Sequence, residues 1–101
     1  MSLREFLGEA ESAGHLVKVS REVDPYLEMA RVIDALDGQP VLFEQVKGSS
    51  YRVVSGACSQ RAYLALALGV PQEELLFVLA RAFADPVPPP VVETAPCQEV
   101  V

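Results

Sequence analysis

A histidine and two cysteines are the side chains here whose chemistry most readily supports nucleophilic catalysis or metal binding: His15, Cys58 and Cys97. A histidine acting as general base needs a serine or cysteine nucleophile within hydrogen-bond reach. None is identifiable beside His15. That residue follows Gly14, which closes a predicted helix, and a positive side chain is favourable there against the helix dipole. A structural zinc takes about four clustered ligands, usually in pairs a few residues apart, and the three residues stand singly. Cys58, among Gly56, Ala57 and Ser59, reads as a small buried thiol. Cys97 follows Pro96 in an extended stretch and reads as the more exposed of the two. Gly48, Gly56 and Gly69 compose neither a G-x-G-x-x-G nor a Walker pattern, so no phosphate cradle is indicated. Most carboxylates sit where helix caps or solvated faces explain them. Glu44, inside a predicted strand, is the least ordinary and reads as a solvent-facing edge carboxylate. No position is assigned a catalytic, cofactor-binding or metal-binding role.

Composition narrows the classes further. The 101 residues carry 14 acidic and 8 basic side chains, a net charge of −6. The cations occur singly along the chain, so phosphate backbones and anionic lipid surfaces are disfavoured partners. A chain of this mass folds to about 5,600 Å² of surface and buries roughly 65% of what it exposes unfolded, enough for one modest core. Two cysteines are too few for a secreted disulfide scaffold. The N-terminus MSLREFLGEA has no apolar signal core. The longest apolar run, Ala62 to Val70, is about half a membrane span. A reducing cytoplasm is the expected compartment.

The elements that would position these residues follow from periodicity and punctuation. Ser2 and Glu5 have capping-box spacing ahead of Leu3, Phe6, Leu7 and Ala10 at helical intervals, with Gly14 as the stop. Val17, Val19 and Val23 alternate with polar residues as a half-buried strand. Asp24-Pro25 starts a second helix, which carries Tyr26, Met29, Ala30 and Ile33 to about Leu36 before Gly38. Val41-Leu42-Phe43 and Tyr51-Arg52-Val53-Val54, joined through the turn residues Lys47 to Ser50, form a hairpin. Ser59 caps a third helix ending at Gly69, and Pro71 begins a fourth, with Glu73 and Glu74 against its positive end. The expected fold is α/β, with α+β character: a small mixed three-stranded sheet covered by about four helices.

Two features point beyond a self-contained domain. The third and fourth helices are apolar around most of their circumference (Ala62 to Leu68; Leu75 to Leu79 and Phe83), and such helices are buried on more than one side. Some of that surface, Leu66, Leu76 and Phe77 included, should meet another domain or subunit. From Asp85 onward the chain holds five prolines and no lysine or arginine, which favours a stiff extended linker. Cys97 to Val101 then reads as the start of a strand. The expected organisation is a domain over 1–85, with 86–101 as linker and beginning of a further domain absent from this chain.

Five segments, in order, resemble the N-terminal region of UbiD-family decarboxylases. They are Ser2-Leu3-Arg4-Glu5-Phe6-Leu7; Arg21-Glu22-Val23-Asp24-Pro25; Asp37 through Glu44; Ala65-Leu66-Ala67-Leu68-Gly69; and Ala95-Pro96-Cys97-Gln98-Glu99-Val100-Val101. The resemblance implies a parent carboxy-lyase acting on aromatic or α,β-unsaturated carboxylic acids. It implies prenylated flavin mononucleotide, a divalent metal such as manganese, and potassium as that parent's cofactors. The family's catalytic arginine, glutamates and metal ligands match no position here. The chain is thus expected to be a non-catalytic scaffold domain whose partner is the remainder of its parent chain, in a homo-oligomer. The alternative is a naturally short interaction or assembly subunit. A small independent enzyme using Cys97 or His15 lacks any supporting base or orienting group.

Overall fold

The computed structural model describes residues 1–98. Its first helix, α1 (Leu3–Ser12), begins as its sequence dictates. Ser2 Oγ accepts from the Glu5 amide at 3.2 Å, and Glu5 Oε2 accepts from the Ser2 amide at 2.9 Å. At the other end His15 donates to the Ala10 carbonyl and Gly14 to that of Glu11. This paired closure needs a left-handed residue after the last turn, and Gly14 supplies it at φ 77°. The same closure ends α3 (Arg61–Leu68): Val70 donates to Ala65 and Gly69 to Leu66.

The sheet is mixed, in the order β1 (Val17–Val19), β2 (Val41–Phe43), β3 (Val53–Ser55). β1 runs parallel to β2 with Val17 opposite Val41, and β2 pairs antiparallel with β3, as the hairpin expectation requires. A bend at Arg21 interrupts the valine alternation, so Val23 rejoins only as a single parallel bridge to Val46.

Strand periodicity divides the side chains between two faces. Val41 and Phe43, both fully buried, pack with Val23 and Val46 under Met29, Val32 and Ile33 of α2 (Glu28–Ala35) and its C-cap residue Leu36. Leu42 points the other way. A second cluster joins Phe6 and Ala10 of α1 to Tyr63 of α3, with Leu16, Ala57 and Leu66 at its margin. The two clusters are small, as expected for so short a chain.

Several local expectations are corrected. α2 begins at Glu28, three residues beyond Pro25. Asp24 Oδ1 accepts from the Tyr26 amide, which spends its capping oxygen on a tight turn. Glu28 then donates to the Tyr26 carbonyl around Leu27 at φ 67°, ψ −32°, a rare three-residue turn. Ser59 does not cap α3: its Oγ lies within hydrogen-bond reach of the Gly38 and Gly56 carbonyls and ties two loops together. Gln60, in extended conformation, holds the cap position without a side-chain bond. After Pro71 a 3-10 turn, Gln72–Glu74, precedes α4 (Leu75–Ala84). Where a strand was expected from Cys97, a 3-10 turn spans Pro96–Gln98; Glu99, Val100 and Val101 lie outside the described residues.

Candidate functional site

The sequence candidates do not converge. His15 is exposed, and its ring meets Tyr63 edge-on at a centroid distance of 5.8 Å. It therefore belongs to the α1–α3 packing. Cys58 is exposed, which corrects the buried-thiol expectation: half-buried Ala57 takes the inward position and Cys58 projects outward. Cys97 is exposed as well. Glu44 lies just past β2 rather than within it; its amide donates to Val19 and its side chain faces solvent. Among the described residues no group of three or more His, Cys, Asp or Glu is placed to hold a metal ion. With no such cluster, the described residues do not fit a divalent metal.

Lys18 is a titrating group held by a carboxylate partner. Its Nζ lies 2.6 Å from Glu11 Oε1, and that hydrogen bond raises its pKa above the ordinary lysine value against an opposing desolvation. Raised in the folded state, it contributes stability below the ordinary lysine value that is lost only in strong alkali. It is no acid or base for neutral pH.

What the structure displays instead is surface. Along α4 Leu75 is buried and Val78 half-buried against the domain. Leu76, Phe77 and Phe83 are 62%, 73% and 88% exposed. At about 100° per residue, Leu76, Leu79 and Phe83 share one stripe, and Phe77 stands on the far side from Leu75. Arg81 is the single charged side chain of the helix. In α3 Tyr63 and Ala65 are buried, Leu66 is half-buried and Leu68 remains 49% exposed. Apolar patches of this kind mark surfaces that meet other bodies. The proline-rich segment continues outward, with Val87 and Val91 almost wholly exposed.

These projections set the dimensions of the molecule. The accessible surface is 8026 Å², against about 5,600 Å² for a compact chain of this mass. The radius of gyration is 16.7 Å, against roughly 13 Å for a compact domain of this length. No single helix among the described residues is long and apolar enough to cross a membrane, and the α3–α4 pair is bent by 91°.

Fold and surface together define a small mixed α/β domain with an uncovered apolar helix. The chain belongs to the 3-octaprenyl-4-hydroxybenzoate carboxy-lyase N-terminal domain family, whose sequence model matches residues 7–83. It is 37% identical over 76 residues to the anhydromevalonate phosphate decarboxylase of Methanosarcina mazei, covering 75% of this chain and 17% of that protein. Among solved structures it resembles the UbiD-class enzyme HmfF from Pelotomaculum thermopropionicum in complex with FMN. The TM-score is 0.81 and the identity 44%, over 87% of this chain and 20% of that one. It also resembles the closed form of Sedimentibacter hydroxybenzoicus vanillic acid decarboxylase, with a TM-score of 0.78 and 35% identity, over 97% of this chain and 23% of that one. The chain thus spans about a fifth of the length of the relatives it matches.

Proposed function

We propose that this chain is a non-catalytic scaffold domain of a longer UbiD-like decarboxylase and docks through α4 onto the part that does the chemistry. The observation that carries this reading is α4 itself: ten residues with one charge, packed against their own domain on one edge only. A helix apolar on nearly every side is stable in water only when other surfaces cover it. The substrates would be aromatic or α,β-unsaturated carboxylic acids. Prenylated FMN, a divalent metal such as manganese and potassium would be held elsewhere in the longer protein, which we place in the cytoplasm as an oligomer. An HmfF relative described as an evolved dimeric form carries prFMN, which supports the flavin assignment. Residues 1–85 are the docking unit in this scheme. The prolines that follow are a spacer of about 3.1 Å per residue.

The test starts from the gene. We expect the reading frame to continue well past Val101, and the long product to retain flavin and decarboxylate its substrate. The 101-residue chain alone should do neither. Decarboxylation, or flavin retained through purification, by the short chain would overturn the proposal. A natural stop codon after Val101 would make it a stand-alone assembly subunit instead.

A further inference from the structure

A second surface lies on the opposite side of the sheet from α2. Leu42, 7% exposed, is turned away from the main core and forms the floor of a groove with Leu7 of α1. Arg4, Arg52 and Tyr51 stand along its rim. Two adjoining hollows of about 280 and 290 Å³ share Arg4, Leu7, Leu42 and Arg52. No lining residue of either belongs to α3, α4 or the proline-rich segment, so the groove is separate from the face assigned above to docking and does not rest on that function.

Its charge runs against that of the chain. The net charge is −6, yet Arg4, Lys18 and Arg52 meet here against the one lining carboxylate, Glu11. Lys18 is neutralised by that carboxylate, and Lys47 is paired with Asp24. Neither Arg4 nor Arg52 is in an ion pair among the described residues. A guanidinium offers a planar fork that matches a carboxylate bidentately. Small-molecule sites enclose most of their ligand, whereas this groove is walled by exposed side chains, with Tyr51 at 79%. Arginine and tyrosine around an apolar floor are instead the anchors of protein interfaces.

We propose that this groove docks an acidic peptide segment of a partner protein, with carboxylates on Arg4 and Arg52 and an adjoining apolar side chain against Leu3 and Leu7. The occupant is acidic because two unpaired guanidinium groups favour anions. It is a peptide because two adjoining hollows share one set of lining residues and their walls are exposed side chains, which suits a segment laid across the surface better than an enclosed small molecule.

Nuclear magnetic resonance of the labelled 101-residue chain tests this with four probes. These are acetyl-Glu-Glu-Leu-Phe-amide, its Gln-Gln analogue, acetyl-Glu-Glu-Ser-Ser-amide and inorganic phosphate. The expected result is saturable shifts at the amides of Leu7, Leu42, Tyr51 and Arg52 with the first peptide. Affinity should fall about tenfold for each analogue and for the Arg4→Glu/Arg52→Glu variant, and should weaken as salt is added. Both arginines are exposed, so the variant should fold. Its binding of acetyl-Lys-Lys-Leu-Phe-amide would demonstrate an intact groove. Absence of saturable shifts overturns the proposal. So does equal binding of the Gln-Gln peptide, which would mark an apolar patch only, or of phosphate, which would mark a general anion site. Shifts that map to α4 instead would also overturn it.

Discussion

At the scale of single residues, backbone geometry constrains this chain more than reactive chemistry does. A Cβ at Gly56 would sit 2.9 Å from the Gln39 carbonyl oxygen and 3.2 Å from Pro40 Cα, at φ 81°. Both obstacles are backbone and neither can move without shifting β2. Gly56→Ala is therefore expected to destabilise by about 2–4 kcal/mol, measured by urea unfolding. Gly8 is the opposite case. It lies inside α1 with ordinary helical φ and nothing within 4 Å of its Cβ position. Gly8→Ala should stabilise by about 0.5–1 kcal/mol in the same assay. The two substitutions are chemically identical, and space and φ alone reverse the sign. Ser59 illustrates what residue type leaves open. Its position before an apolar run has the form of a helix cap, but the hydroxyl reaches across to the Gly38 carbonyl. A residue 21 positions away cannot be read from local spacing.

At the scale of elements, the domain depends on one short sheet and the helix laid across it. β2 is the central strand, and Phe43 is wholly buried between the sheet and α2. Removing its ring leaves a cavity that three-residue strands cannot close. Phe43→Ala is expected to cost about 3–5 kcal/mol. With total stability of about 5–15 kcal/mol for a chain of this size, the variant should unfold at distinctly lower denaturant concentration. The valine alternation that marks β1 continues to Val23 in sequence, yet the strand stops at Val19. Pairing decides strand length, and only three residues of β2 are available opposite β1. The start of α2 lies beyond Asp24-Pro25 for a related reason. Asp24 has the right side chain for a cap, but its carboxylate is engaged in the preceding turn.

At the scale of the whole molecule, the excess surface is the informative quantity, and α4 and the proline-rich segment both contribute to its apolar part. In the isolated chain, Phe77→Ser and Phe83→Ser should leave stability within about 0.5 kcal/mol. Self-association, followed by sedimentation, should fall. Within the longer protein proposed above, each of these phenylalanines would be covered, and the same substitutions should cost about 2 kcal/mol or more. Equal, negligible effects in both settings would remove α4 from the interface.

The sequence by itself determined the helix ends marked by Ser2, Gly14 and Gly69, the hairpin of β2 with β3, and the α/β class. It also determined that α3 and α4 carry more apolar surface than so small a sheet can cover. Those properties are local or compositional, so spacing and residue type suffice. Tertiary structure alone decided that Cys58 faces solvent, that Ser59 clamps two loops, and that Arg4 and Arg52, 48 positions apart, flank one groove. Each depends on which distant segments the sheet register brings together, and register is a property of the folded chain.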